Sequence, residues 1–336
     1  MTIPVYMPVA RKNPIPYAKM APGFDLAKNV REVHGNPNVI YEFIGTDEFG
    51  PEWYERIRFE VNAGRLETPI LYTPIYDEVV DASLPEVQTI KNWGSSGVIF
   101  DEVFEGGEVK FIGITTATAS VSQRQFGVGL EYDKKLIMFN QLWQLARMER
   151  EVGRAYNALQ NHLHLSPILT YAFAAANQTP ANTTGATATE KLFATIEAGI
   201  VHAQTDTTNP RMGPYVLLVH PSKAFAVQRA LTRVPQVTFA QDSDIGSYIS
   251  AIVGYAGWSG TRGKKAVTYA GCSTTKGYLI NTVYRGEDFL SLVKQPLESA
   301  QGNADVTRFI QNQIVWDVWL GVYANVLRST EELTLP

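Results

Sequence analysis

Residues 126–165, FGVGLEYDKKLIMFNQLWQLARMEREVGRAYNALQNHLHL, constrain this chain more than any other stretch. Between residues 134 and 165 there is no proline and a single glycine, Gly153. Leu142, Leu145, Met148, Val152, Tyr156, Leu159 and Leu163 follow one another in steps of three and four, the period of one helical face. A helix over residues 134–165 is about 45 Å long at 1.5 Å per residue. That exceeds most globular helices, so the pattern predicts a spine with something long and flat packed along it.

The 336 residues suffice for one large or two medium domains with a substantial core. Hydrophobic residues make up 45% of the chain, which excludes a disordered polymer. A net charge of −4 argues against a dedicated nucleic-acid grip, which carries a basic excess. The single cysteine, Cys272, excludes an intrachain disulfide and a cysteine-cluster metal site. No apolar run approaches the roughly 18 residues of a membrane span, so no membrane partner is expected. Prolines interrupt the start, MTIPVYMPVARKNPIPY, where a signal peptide needs an apolar centre, and this predicts a cytoplasmic origin.

Residues 1–50 hold Pro4, Pro8, Pro14, Pro16, Pro22 and Pro37 yet also Tyr6, Tyr17, Phe24, Tyr41 and Phe43, a composition expected of an extended arm lying on another surface. Residues 53–118 read as mainly β, with TPILYTPIYDEVV, GVIFDEV and EVKFIGITTATASV bounded by Gly or Pro. Pro69, Pro74 and Pro85 place part of this region on edges or in a projecting hairpin. A second helix is predicted over residues 187–204. PYVLLVH (214–220) reads as a short buried strand, and Pro221 and Ser222 suit the first turn of a following helix. AVTYAG and GYLINTVYR read as strands. In the closing segment Val306, Ile310, Ile314, Trp316, Val318, Leu320 and Val322 share one parity, which predicts a long strand with one buried face.

No G-x-S-x-G, H-E-x-x-H or C-x-x-C motif is present. GWSGTRGKK (257–265) has Trp258 where a phosphate loop needs glycine, and reads as a basic surface turn at Arg262, Lys264 and Lys265. Gly127-Val128-Gly129 lacks the third glycine of a dinucleotide fingerprint and reads as a strand-to-helix turn. His162 and His164, two apart, share no helical face, so one of them capping a helix end is preferred to a metal site. Asp242 and Asp244 read as a solvated loop rather than a cation site. Trp316 and Trp319 read as packing. The sequence offers no catalytic set, no cofactor and no metal site, and no enzyme is expected.

Three features carry a resemblance. Phe126-Gly127-Val128-Gly129-Leu130-Glu131 followed by a helix with Arg147, Arg150 and Arg154 is similar to the glycine-rich strand and arginine-bearing helix of the major capsid proteins of tailed double-stranded-DNA bacteriophages, the Hong Kong 97 fold. GPYVLLVHPSKAFAVQRAL (213–231) resembles that family's strand and following helix, and the long closing strand is the third feature. The resemblance implies an α+β, Hong Kong 97-type capsid fold. Residues 1–50 are then the N-terminal arm, and 51–118 the extended β-hairpin loop with flanking segments. Residues 119–204 are the peripheral domain with its spine helix, 205–295 the axial α/β domain, and 296–336 the strand returning to the peripheral domain.

The implied function is a structural shell protein that self-assembles into hexamers and pentamers of an icosahedral phage head, assembled in the host cytoplasm and located in the virion. Its partners are other copies of itself, a portal protein, a separate scaffolding protein, a decoration protein, and packaged double-stranded DNA held by weak non-specific contact. A separate scaffolding protein, or none, is expected because Met1 leads straight into arm-like sequence. No lysine–asparagine cross-link pair can be matched, so no covalent cross-linking is expected. Trp53, Tyr54, Tyr72 and Tyr76 are candidate subunit contacts, with intrachain packing as their alternative. Arg147, Arg150 and Arg154 are candidate intersubunit residues or a solvated helix face with local ion pairs. A protein nanocompartment shell of the encapsulin type and a soluble α+β enzyme stand as the rival functions.

Overall fold

The computed structural model describes residues 5–6, 51–93, 116–133, 142–207, 210–238, 245–262, 265–302 and 310–336. In chain order, the first half gives β1 (Val5–Tyr6), α1 (Pro51–Glu67), β2 (Asp77–Val80), β3 (Val87–Trp93), β4 (Thr116–Ser122), β5 (Arg124–Asp133), α2 (Leu142–Leu169), β6 (Gln178–Thr179) and α3 (Ala188–Thr205). The second half gives β7 (Tyr215–Val219), α4 (Pro221–Thr238), α5 (Ile245–Tyr248), β8 (Ile249–Gly254), β9 (Gly257–Arg262), β10 (Lys265–Ala270), β11 (Lys276–Asn281), α6 (Arg285–Asp288), β12 (Phe289–Gly302), β13 (Ile310–Ala324), α7 (Val326–Ser329) and β14 (Thr330–Thr334). Two compact units result. One comprises Met1–Met7, Ile70–Lys134 and Ala158–Pro336, and the other Pro8–Pro69 and Lys135–Asn157.

The larger unit is built on a six-stranded sheet in the order β1-β8-β7-β11-β14-β6. All five residues of β7, YVLLV, are buried because both faces of this sheet are covered, which explains the unbroken apolar run in the sequence. Leu217, Val219, Ile252 and Leu279 meet the buried sides of α3 and α4, among them Ile196, Ile200, Val227 and Ala230. Val216, Leu218, Val253 and Ile280 meet Leu71, Ile75 and Tyr76, with Leu165 and Ile168 near the end of α2. Helix α3 starts on a capping box, in which Thr187 accepts from the Glu190 amide at 3.2 Å and the Glu190 carboxylate accepts from the Thr187 amide at 3.1 Å.

A second sheet of the same unit has the order β2-β12-β13-β5. The predicted parity of the closing strand is present: Ile314, Trp316, Val318 and Leu320 of β13 are buried. The pairing of β12 with β13 shifts register around Gln295, beside Pro296, whose missing N–H suits a bulge. Strands β3 and β4 form an antiparallel pair from Val87↔Ser122 to Trp93↔Thr116. GVIFDEV, which lies between them, falls outside the described residues. Of the expected arm, Val5–Tyr6 is described, and it pairs in parallel with Ile252–Val253 of β8.

Four expectations are corrected. Residues 51–67 are helix, not β: Pro51 occupies the first position, where its missing N–H costs nothing, and Ile57 and Val61 lie one turn apart on a buried face. Most of TPILYTPIYDEVV is a turn held by the Ile75 and Tyr76 amides on the Tyr72 carbonyl, with only β2 as strand. Gly127 and Gly129 lie inside β5, where a Cβ on Gly127 would come 3.2 Å from the Trp316 carbonyl oxygen, so glycine lets the two strands pair closely. The spine helix runs on to Leu169 and contains Pro167, so neither His162 nor His164 caps its end.

The spine also buries a different face from the one periodicity marked. Its 28 residues give about 42 Å of helix. Met148 is exposed and Leu159 and Leu163 are half-buried, whereas Glu149, Asn157, Gln160, Asn161 and His164 are buried with Val152, Ala158 and Leu165.

Candidate functional site

The polar residues of the spine are buried because the neighbouring backbone needs partners. In the smaller unit Asn157 donates to the carbonyls of Arg65 at 2.7 Å and Thr68 at 2.6 Å, closing the C-terminal end of α1. In the larger unit the Asn161 side-chain oxygen accepts from the Leu71 amide at 2.7 Å. His164 bonds the Gln160 carbonyl through Nδ1 at 2.7 Å and Ser291 Oγ through Nε2 at 2.8 Å. Burial brings its pKa down to about 4, so the ring is neutral at pH 7.

Tyr72 and Tyr76 belong to this buried cluster. The Tyr72 ring stacks on His164 at 3.6 Å between centroids, and the Tyr76 hydroxyl donates to the His164 carbonyl at 2.5 Å. Both side chains are buried within the chain. Trp53 and Tyr54 lie in the first turns of α1 rather than on a hairpin, and their side chains are outside the described residues.

The arginines separate along α2. Arg147 is exposed. Arg150 reaches across to Glu60 of α1 at 2.5 Å, and Arg154 is held between Glu67 and Glu151. Two of the three are therefore committed within the smaller unit. Helices α1 and α2 can approach this closely because glycines meet backbone there. A Cβ on Gly153 would fall on the Val61 carbonyl oxygen and 2.7 Å from the Arg65 nitrogen, and one on Gly64 would lie 2.8 Å from the Arg150 carbonyl carbon.

His162 is placed apart from His164, stacked on Tyr269 of β10 at 4.3 Å. Among the described residues no three His, Cys, Asp or Glu side chains are grouped to hold a metal ion. No described helix is long and apolar enough to cross a membrane. Trp316 is packed in the core as expected, and Asp242 and Asp244 fall outside the described residues, as do the side chains of Arg262, Lys264 and Lys265.

The strongest charge network escaped sequence reading altogether. Arg211 and Glu331 are both buried and meet at 2.8 Å. Arg211 also binds Asp206 at 3.1 Å and the Ala176 carbonyl at 3.3 Å, while Glu331 accepts from Thr179 at 2.7 Å and lies 2.7 Å from His202 Nδ1. These contacts join β14, β6, α3 and the segment before β7. A second network holds buried Asp288 against Ser329, Asn325 at 3.1 Å and Arg328 at 3.3 Å, and the Arg328 guanidinium lies over the Tyr284 ring at 4.5 Å. Glu331 and Arg211 are 120 positions apart, so no local spacing could have announced them.

Among the described residues the arrangement consists of a six-stranded sheet covered on both faces, a second sheet with one buried face, a long helix, and charge networks that lock distant segments. A family model described as phage capsid protein matches residues 116–291, more than half of the chain. The chain belongs to the phage capsid protein family. The match runs from β4 through β5, the spine and four strands of the six-stranded sheet, β6, β7, β8 and β11, into the start of β12. The protein is accordingly a structural component of a capsid shell.

Solved structures agree on the fold. The capsid of cyanophage P-SCSP1u is 11% identical with a TM-score of 0.52, covering 80% of this chain and 88% of its own. The mature capsid of bacteriophage PhiM1 is 10% identical with a TM-score of 0.50, covering 79% and 87%. A virus-like particle from Pyrococcus furiosus is 8% identical with a TM-score of 0.51, covering 83% and 98%. These capsid structures match an α+β chain of the Hong Kong 97 type. No curated protein sequence matches.

Proposed function

We propose that this capsid protein builds the icosahedral head of a tailed phage as hexamers and pentamers that enclose double-stranded DNA. The observation that carries the reading is the family match over residues 116–291, which takes in the spine helix and most of the six-stranded sheet together. In this reading residues 205–295, with β7, α4, β8 and β11, are the axial piece, residues 119–204 with the spine and the closing segment 296–336 are the peripheral piece, and the β3–β4 pair is the base of a loop that reaches a neighbouring subunit. An arm and a loop of this kind become stable by burying apolar surface on other copies.

The remaining partners follow the same reading: a portal protein, a separate scaffolding protein, a decoration protein, and the genome. A net charge of −4 supports weak, sequence-independent contact with DNA through local Lys and Arg, since a tight grip would resist packing and ejection. Assembly takes place in the host cytoplasm, and no enzymatic step is assigned to the chain. Of the interface candidates, exposed Arg147 remains available to a neighbouring subunit. The test is to express the chain and image the product: closed shells or rings of five and six support the proposal, and a small oligomer under all conditions opposes it. A nanocompartment would instead recover a host protein as cargo in place of nucleic acid.

A further inference from the structure

The six-stranded sheet has one end that differs from the rest of the surface. Strands β7 and β8 run in parallel and both begin there, with Tyr215 beside Ile249. Strand β11 is antiparallel to β7 and ends there, and β14, paired Ile280↔Thr330, begins there. The residues just outside the strands at this end are Met212 before β7, Tyr248 before β8, Val283 and Tyr284 after β11, and Leu327 before β14. These five side chains are between 43% and 57% exposed, and they account for five of the fourteen large apolar residues exposed among the described residues. At about 4.8 Å per strand, four adjacent strands spread them along a rim of about 15 Å.

The rim is held firmly. Met212 follows Arg211, which is buried in its ion pair with Glu331 and whose carbonyl accepts from the Tyr215 hydroxyl. The Thr282 amide bonds the Pro214 carbonyl at 3.2 Å and the Val283 amide bonds the Asn281 side chain at 2.8 Å. Tyr284 lies under Arg328, itself fixed by Asp288. Exposed apolar residues pinned in this way lose little entropy when covered. Met, Tyr and Arg are also the types enriched in protein contacts, where Lys and Glu are depleted.

We infer that this rim is a contact surface between copies of this chain, buried when subunits join. The occupant is a second copy because the chain is a capsid protein, whose shell sets copies side by side, and because a firm rim of Met, Tyr, Val and Leu matches the core of a protein interface. The inference rests on the proposed shell assembly and adds the residues that the contact uses.

The experiment introduces a thiol by Val283→Cys and labels it with a maleimide in unassembled subunits and in assembled shells. Cys272 is buried, and burial pushes its thiol up to about 12, so the background is low. We expect labelling in free subunits and at least tenfold protection in shells. Equal labelling in both states overturns the rim while leaving the shell reading intact. A protein that never assembles overturns both.

A second arm compares Met212→Asp and Leu327→Asp with Thr274→Asp, which lies at the opposite end of the same sheet and is exposed. The rim variants should keep the thermal unfolding of the free subunit and lose most shell yield, with Thr274→Asp assembling normally. Normal shells from both rim variants, or equal loss from Thr274→Asp, contradict the inference.

Discussion

Replacing Gly153 by alanine isolates what the spine helix does for the smaller unit. In an open helix this change stabilises by about 1 kcal/mol, because alanine loses less backbone freedom than glycine. Here the new Cβ would fall on the Val61 carbonyl oxygen, 2.7 Å from the Arg65 nitrogen and 3.0 Å from the Val61 carbonyl carbon. These are backbone atoms of a helix and cannot rotate aside. Restoring ordinary contact at 3.4 Å or more requires α1 and α2 to part by more than an ångström at the Val61 oxygen. Such a shift strains the Arg150–Glu60 pair at 2.5 Å and the Asn157 bonds to Arg65 and Thr68.

Overpacking costs about 1–3 kcal/mol and each lost hydrogen bond about 1 kcal/mol. Against the propensity gain, the net expectation is a loss of about 2–3 kcal/mol. Urea unfolding of unassembled subunits measures it, with Ala155→Gly as a reference that loses only about 1 kcal/mol through propensity. Gly64→Ala should behave like Gly153→Ala, and the double variant should lose less than the sum because one parting of the helices accommodates both. Equal or greater stability of Gly153→Ala would refute the close crossing.

Glu331→Gln leaves buried Arg211 with Asp206 as its remaining carboxylate partner, and should cost about 3–5 kcal/mol in thermal unfolding; a change under about 0.5 kcal/mol would count against the network's role, and Arg211→Met combined with Glu331→Leu should recover much of the loss. His164 titrates at about 4 in the folded chain and near 6.5 when unfolded, so the unfolded chain takes up the proton first. Its contribution is therefore complete above about pH 6.5 and is lost as pH falls toward 4, by about 3 kcal/mol, and His164→Gln should flatten stability over that window. Deleting residues 1–30 removes β1 from the edge of β8 and should leave soluble subunits that fail to close shells; normal shells would contradict the arm's role. Particles boiled in SDS should run as monomers, and ladders of linked subunits would show that covalent cross-linking occurs.

The parts of this fold that could be read in the sequence are those whose partners lie close in the chain. Pro221 after VLLVH marked β7 and α4, the helix expected over residues 187–204 is α3, and the parity of Ile314 to Leu320 marked β13. Helix α1 was missed because Trp53, Tyr54, Ile57, Phe59 and Val61 carry strand propensity; Pro51 at the first position and the Ile57–Val61 spacing were the available signals. The buried face of the spine was misread because hydropathy cannot register that Asn157, Asn161 and His164 satisfy backbone and hydroxyl groups some 90 to 130 residues away. The same limit hid Arg211 and Glu331. Tyr72 and Tyr76 are the kind of aromatic residues found both at interfaces and in cores, and their packing on His164, some 90 positions away, left no local signal.

The most direct test of the shell assignment is light scattering with negative-stain electron microscopy on the purified chain. The account predicts megadalton closed shells of uniform diameter, or rings of five and six subunits. A clean monomer or small oligomer at every protein and salt concentration, with or without a co-expressed scaffolding protein, would contradict it.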